Sequence, residues 1–120
     1  MIEQTIIEYL NNEMIVPVLA ELPEVPSEDY PEFPEKLVVL ERVGGSKTNH
    51  ISVCSIAFQA YASTLFEAVQ LDEEVKRTVP GLIVLDTVSS VRLSSSYNHT
   101  DPSTKRYRYQ SVFEIYYYDE

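Results

Sequence analysis

The stretch RYRYQSVFEIYYY, at positions 106–118, has the strictest alternation of side chains in the sequence. One side of such a strand would carry Tyr107, Tyr109, Phe113, Ile115 and Tyr117, and the other would carry Arg108, Gln110 and Glu114. A period of two is typical of a strand that packs one face on a core and leaves the other accessible. The rest of the chain must therefore supply partner strands and a layer that covers one face.

Two segments have the 3.6-residue period of an amphipathic helix. The first covers residues 1–12. The second opens at Ser63-Thr64 and stops before Pro80-Gly81, and Thr64-x-x-Glu67 has the spacing of a capping box. The apolar stripe of the first helix is Ile2, Ile6, Tyr9 and Leu10, and that of the second is Leu65, Ala68, Leu71 and Val75. We expect the acidic run Asp72-Glu73-Glu74 to form a solvated helix surface.

Further strands are predicted at residues 36–43, 49–62 and 82–96. A shorter strand at 14–21 contains Pro17, which lacks a backbone donor and restricts this strand to a sheet edge. In the second long strand, Ile51 and Val53 have the opposite parity to Ile56 and Phe58. A β-bulge near Cys54-Ser55 would reconcile them.

Residues 22–35, LPEVPSEDYPEFPE, hold four prolines and predict an extended loop within the domain. The complete order is α-β-β-β-α-β-β. It predicts an α+β fold with a mainly antiparallel sheet of four to five strands and two helices on one face. The 120 residues are enough for a single domain, 1–120.

The stretch VLERVGGSKTNHISV (39–53) contains glycines before Lys47-Thr48, which suggests a phosphate-binding loop. That loop needs glycine directly before the lysine and another five residues earlier, but Ser46 and Glu41 stand there. It also leads into a helix, whereas a strand is predicted after Thr48. The stretch therefore predicts a hairpin turn, with Gly44-Gly45 supplying positive φ angles.

The composition excludes several classes of function. The net charge is −10, and residues 1–41 hold ten acids and one base. That acidic third predicts a solvated surface, or one that repels DNA or meets a basic partner; no sequence-specific nucleic-acid binding is expected. Cys54 is the only cysteine, so a multi-cysteine zinc site is excluded. Apolar runs are too short to span a membrane, and we expect no catalytic, metal or cofactor residues.

Nine tyrosines and no tryptophan are unusual for a small acidic chain. Tyr116, Tyr117 and Tyr118 are consecutive, so they cannot all point into one core, and at least one must reach solvent or a partner. Tyrosine combines a large apolar area with a polar tip and is enriched at interfaces. This favours an assembly component over an enzyme.

The sequence resembles the tail terminator proteins of long-tailed phages, also called tail completion or tail-to-head joining proteins. The resemblance covers roughly residues 1–118. It rests on element order and on the segments PEFPEKLVVLERVGGS, ISVCSIAFQAYA leading into STLFEAVQLDEEV, and KRYRYQSVFEIYYY.

That resemblance implies a structural virion protein of a phage or prophage, without catalytic residues. It would form a ring, expected to be a hexamer, that stops growth of the tail tube and joins it to the head. Its partners would be further copies of itself, the tail-tube protein and the head connector. Its place would be the tail end of the virion, after assembly in the host cytoplasm. The candidate interface residues are Lys47, Thr48, Tyr97, Arg106, Arg108, Tyr116, Tyr117 and Tyr118.

Two other functions remain open on the sequence. One is another neck or minor capsid protein of the same phage module. The other is a small-ligand binding or regulatory domain with a ferredoxin-like sheet. A ring-forming protein should expose a large aromatic or apolar surface, whereas a ligand domain should have a concave pocket with converging polar groups.

Overall fold

The chain folds into two α-helices and a five-stranded sheet, which confirms the α+β class. The computed structural model describes residues 2–102 and 106–118. The elements are α1 (Ile2–Glu13), β1 (Val18–Leu19), β2 (Leu37–Thr48), β3 (Ile51–Ala62), α2 (Leu65–Thr78), a 3-10 helix (Val79–Val84), β4 (Val88–Asn98) and β5 (Tyr107–Tyr118). Their order agrees with the predicted succession of helices and strands.

The strands lie in the spatial order β1-β2-β3-β5-β4. Three strand pairs are antiparallel, and only β1 runs parallel to β2, so the sheet is mixed rather than purely antiparallel. β1 is two residues long and follows Pro17 at the sheet edge, as predicted. The Asn11 side chain anchors it to α1, because it donates to the Val18 carbonyl at 3.0 Å and accepts from the Val18 amide at 2.9 Å.

Both helices pack on one side of the sheet, here called the helix face. The main core lies there, and Phe58 of β3 meets Phe113 of β5 edge to face with ring centroids 5.7 Å apart. The buried apolar residues of the helices are Ile2, Ile6 and Leu10 in α1 and Ala68, Leu71 and Val75 in α2. The opposite side, here called the open face, has a smaller cluster of Leu37, Val39 and Tyr61, against which Leu19 and Phe33 pack.

The start of α2 agrees with its sequence signature. The Thr64 hydroxyl accepts a hydrogen bond from the Glu67 amide at 3.1 Å, so Thr64 caps the helix. At the other end, Pro80 and Gly81 lie within the 3-10 helix, where Leu82 is buried. The strand predicted from residue 82 therefore begins only at Val88. Short apolar runs do not distinguish a buried helical turn from a strand.

The predicted Gly-Gly turn is wrong. Both glycines lie inside β2, where Gly44 pairs with Ser55 and Gly45 with Cys54, and neither has a positive φ. The turn is Asn49-His50, with φ of 50° and 70°, the sign that a two-residue type I′ turn requires at both positions.

Gly45 has a steric role in place of the predicted conformational one. A Cβ atom there would lie 2.9 Å from the Val53 carbonyl oxygen, so the neighbouring strand leaves no room for a side chain.

The bulge also lies elsewhere than predicted. β3 pairs with β5 without interruption, whereas the register with β2 shifts between Arg42 and Gly44, so the extra residue is Val43. Cys54, Ile56 and Phe58 all face the main core. Ile51 and Val53 differ in parity because they point to the open face, at the end of the sheet where the core has ended.

Asp72 is fully buried, so the prediction of a solvated acidic run is wrong at that position. Its carboxylate accepts hydrogen bonds from the Ser96 hydroxyl of β4, at 3.1 Å, and from the Ser111 hydroxyl of β5. Lys76, one helical turn on, forms an ion pair with it at 3.2 Å. Burial alone would lower the pKa of Lys76, but its interactions with Asp72 and Glu73 together outweigh burial and leave that pKa raised. Asp72 therefore joins α2 to two strands.

We expect Asp72→Ala to lower the free energy of unfolding by about 2–4 kcal/mol, because it leaves buried hydroxyl groups without their acceptor. Urea denaturation measures this loss. Glu73→Ala is the matched control, since Glu73 is exposed and only pairs with Lys76; it should cost about 0.5 kcal/mol or less. Equal effects of the two substitutions would contradict a structural role for Asp72.

Candidate assembly interface

The sheet extends beyond the core as an arm, defined here as residues 43–53 of the β2–β3 hairpin with residues 116–118 of β5, which the start of β4 flanks at Val88 and Ser90. The last buried residue of β2 is Leu40, and residues 41–50 are all exposed. The extension ends in the two-residue turn, and the bulge at Val43 lies at its base. Along residues 43–50, strand pairing continues although every one of these residues is exposed.

The three consecutive tyrosines divide between the two sides of the arm. Tyr117 lies on the helix face, where its hydroxyl accepts a hydrogen bond from the Arg42 guanidinium at 3.0 Å. Tyr116 and Tyr118 lie on the open face. Tyr118 is 52% exposed and pairs across the ladder with Ile51, which is 39% exposed. The prediction that at least one of the three reaches the surface is confirmed.

Arg42 is a residue that sequence analysis did not single out. Besides Tyr117, it forms an ion pair with Glu3 of α1 at 3.3 Å, and its side chain is still 43% exposed. The hydrogen bond that Arg42 donates to Tyr117, together with its bond to Cys54 and the charge of Glu3, outweighs burial and raises the pKa of Arg42. In the sequence, Arg42 begins a stretch without Asp or Glu that extends to residue 66, and this lack of acids could have drawn attention to it.

Lys47 and Thr48 are exposed near the end of the arm, as expected for a turn region. Because the register pairs Lys47 with Ser52 and Thr48 with Ile51, the lysine points to the helix face and the threonine to the open face. On the helix face, a groove of about 600 Å³ runs along the arm. Its lining residues are Arg42, Gly44, Gly45, Ser46, Lys47, Ser52, Val53 and Tyr117.

Arg106 and Arg108 contact their own chain at the opposite end of β5. The Arg106 guanidinium stacks 3.7 Å above the centroid of the Phe33 ring and donates to the Pro34 carbonyl at 3.2 Å. Arg108 donates to the Tyr61 hydroxyl at 3.0 Å and to the His99 carbonyl at 2.9 Å. These two arginines therefore fix the proline-rich segment and the β4–β5 connection on the open face.

Tyr97 belongs to the same end of the sheet. Its hydroxyl accepts a hydrogen bond from Gln110, which is buried and also accepts from Gln59 at 3.0 Å. Its ring packs edge to face on His99. Tyr97 thus completes a polar ladder across the open face, with part of its ring exposed.

The eight candidate residues therefore form two groups rather than one site. Five of them, Lys47, Thr48 and Tyr116–Tyr118, are on the arm, and Tyr97, Arg106 and Arg108 are at the far end. Tyr97 pairs with Gln110, six residue steps along β5 from Tyr116, and Arg108 is eight steps from Tyr116, so the nearest members of the two groups are about 20–26 Å apart. Neither group contains a paired acid and base with a nucleophile between them.

Within residues 2–102 and 106–118, no group of three or more His, Cys, Asp or Glu side chains could hold a metal ion. In the same residues, no helix has the length and apolar character needed to cross a membrane. His50 is at the hairpin turn and Cys54 is buried beneath the arm. Burial raises the pKa of the Cys54 thiol, despite a hydrogen bond from Arg42.

No protein-family model matches the chain, and no curated protein matches it either.

We expect the double substitution Tyr116→Ser and Tyr118→Ser to weaken self-association about tenfold or more, because interface tyrosines contribute apolar area and hydroxyl contacts. Sedimentation velocity over a concentration series measures it. Phe66→Ser is the control, since Phe66 is an exposed aromatic residue of α2, outside both groups. Loss of the folded monomer in the double variant would instead make these rings part of the core.

Proposed function

We propose that the protein is a structural virion protein of a tailed phage or prophage, and that it forms a ring that ends the tail tube and joins it to the head. The observation that carries this proposal is the arm. It is an extension of the sheet with tyrosines on both sides, and residues 41–50 are exposed throughout. Surfaces of this composition are typical of protein interfaces.

The unequal coverage of β2 supports assembly through the arm. β1 pairs only with Val38 and Val39, so in the described chain no strand pairs with the outer edge of β2 from Glu41 to Thr48. An uncovered strand edge can accept a strand or extended segment of another chain. The bulge at Val43 and the charge of Lys47 disfavour non-specific pairing of this edge with strands of other proteins.

The positions of the two candidate groups favour a ring over a two-fold dimer. A contact between the arm of one copy and a different surface of the next copy is heterologous, and repeated heterologous contacts close into a ring when the rotation permits. We expect a hexamer. One side of the ring would bind the last tail-tube subunits, and the other would bind the head connector.

In this proposal the protein acts by binding alone, without cofactor or catalysis. It would assemble in the host cytoplasm and then stay at the tail end of the virion. Its acidic surface suits this place, because like charge limits adhesion of the phage genome.

Deletion of the gene from the phage or prophage that carries it tests the proposal, with electron microscopy of the particles as the measurement. We expect tail tubes that exceed the normal length and carry no heads, and restoration by a plasmid copy. Tails of normal length that fail to join heads would instead indicate a neck protein. Normal particles would contradict a role in virion assembly and favour the ligand-binding alternative.

A further inference from the structure

The groove on the helix face of the arm is lined by hydrogen-bond donors. Arg42 and Lys47 bring two cations, and Ser52 and Tyr117 bring hydroxyl groups. Guanidinium and ammonium groups only donate hydrogen bonds. An occupant should therefore be rich in acceptors and negatively charged.

The electrostatic setting of the groove differs from that of the protein as a whole. The chain carries a net charge of −10, yet residues 42–66 contain no Asp or Glu. Glu3 pairs with Arg42 from α1. The nearest acids on the paired strands, Glu41 and Glu114, have open-face parity, opposite Ala57 and Ser55 of β3. The helix face of the arm is a basic surface on an acidic molecule.

The complementary surface is the acidic proline-rich segment, defined here as residues 21–35. It contains six exposed acids and no base, namely Glu21, Glu24, Glu28, Asp29, Glu32 and Glu35. Four of its residues are prolines, which lack the backbone donor, so the segment presents mainly carboxylate and carbonyl acceptors. The stacking of Arg106 on Phe33 fixes the end of the segment in an accessible position.

Within one molecule the Lys47 end of the groove and the Phe33 end of this segment are separated by most of the length of the sheet. Phe33 packs beside Tyr61 and Arg106, whose partners lie at the start of β5, whereas the groove is beside Tyr117 near the end of β5. Nine residue steps along β5, from Arg108 beside Tyr61 to Tyr117, place the Lys47 end of the groove about 30 Å from Phe33. Complementary surfaces at opposite ends of one molecule fit a head-to-tail contact between copies.

We propose that the arm groove of one copy binds the acidic proline-rich segment of the next copy. This inference rests on the proposed ring and identifies the contact that propagates it. Arg42 and Lys47 bind carboxylates of the neighbouring segment, and the groove hydroxyls donate to its carboxylates and carbonyls. A nucleic acid is a poorer occupant, since its phosphates would approach a chain of net charge −10 with only two groove cations in range.

Charge reversal on each side tests this contact by sedimentation velocity in low salt. Lys47→Glu alone and Glu28→Lys/Asp29→Lys alone should each raise the concentration of half-assembly about tenfold or more, because like charges then face each other. An equimolar mixture of the two variants should recover assembly, since each groove then meets a segment of opposite charge. Raising the salt to about 0.5 M should weaken the wild-type contact.

Matched controls reverse charge elsewhere. Arg77→Glu and Glu8→Lys/Glu13→Lys change exposed residues of the helices and should leave assembly within about twofold of wild type. Asp119 and Glu120 follow Tyr118 in sequence and lie outside the described residues. The variant Asp119→Asn/Glu120→Gln tests whether assembly depends on these two acids. Circular dichroism of each variant verifies the fold.

The outcomes separate this contact from the ring itself. Wild-type rings that tolerate both reversals would overturn the contact and leave the proposed function standing. Failure of the mixture to recover assembly would also overturn it, as would loss of assembly only in Asp119→Asn/Glu120→Gln, which would assign the groove to the C-terminal acids. A wild-type protein that stays monomeric at millimolar concentration would contradict both the ring and the contact.

Discussion

Twelve consecutive residue pairs join β3 to β5, from Ile51–Tyr118 to Ala62–Tyr107, and this pairing positions the rest of the molecule. Its middle section brings Phe58 against Phe113 and centres the core to which both helices bind. One end carries the arm, and the other lies beside Arg106, which fixes the proline-rich segment. Because the pairing is uninterrupted while the helices cover only part of it, a single sheet provides both a buried core and an exposed extension.

The sequence predicted this central feature well because it depends on local periodicity. The alternation of β5, the stripe of α2 and its Thr64 cap are all visible within short windows. The errors arose where the outcome depends on residues distant in sequence. Asp72 is buried because Ser96 and Ser111 supply donors from two strands.

The candidate residues show the same limit. Arg106 could be recognised as unusual, but its contacts with the proline-rich segment join residues about seventy positions apart in the chain. The glycine pair illustrates a second limit. Glycine permits a positive φ without requiring it, and in β2 its small size matters because the strands approach closely at Gly45. The arm could not be located from sequence, because its exposure is set by where the helices end.

Amide hydrogen exchange on the arm, followed by mass spectrometry, tests the central proposal that the exposed end of the sheet is an assembly surface. In dilute monomer, the amides of residues 41–48 that point away from β3 should exchange rapidly, since no described strand pairs with them. In the assembled protein these amides should be protected, together with residues 21–35, while the core near Phe58 stays unchanged. Assembled protein whose arm exchanges as rapidly as in the monomer would contradict the proposal.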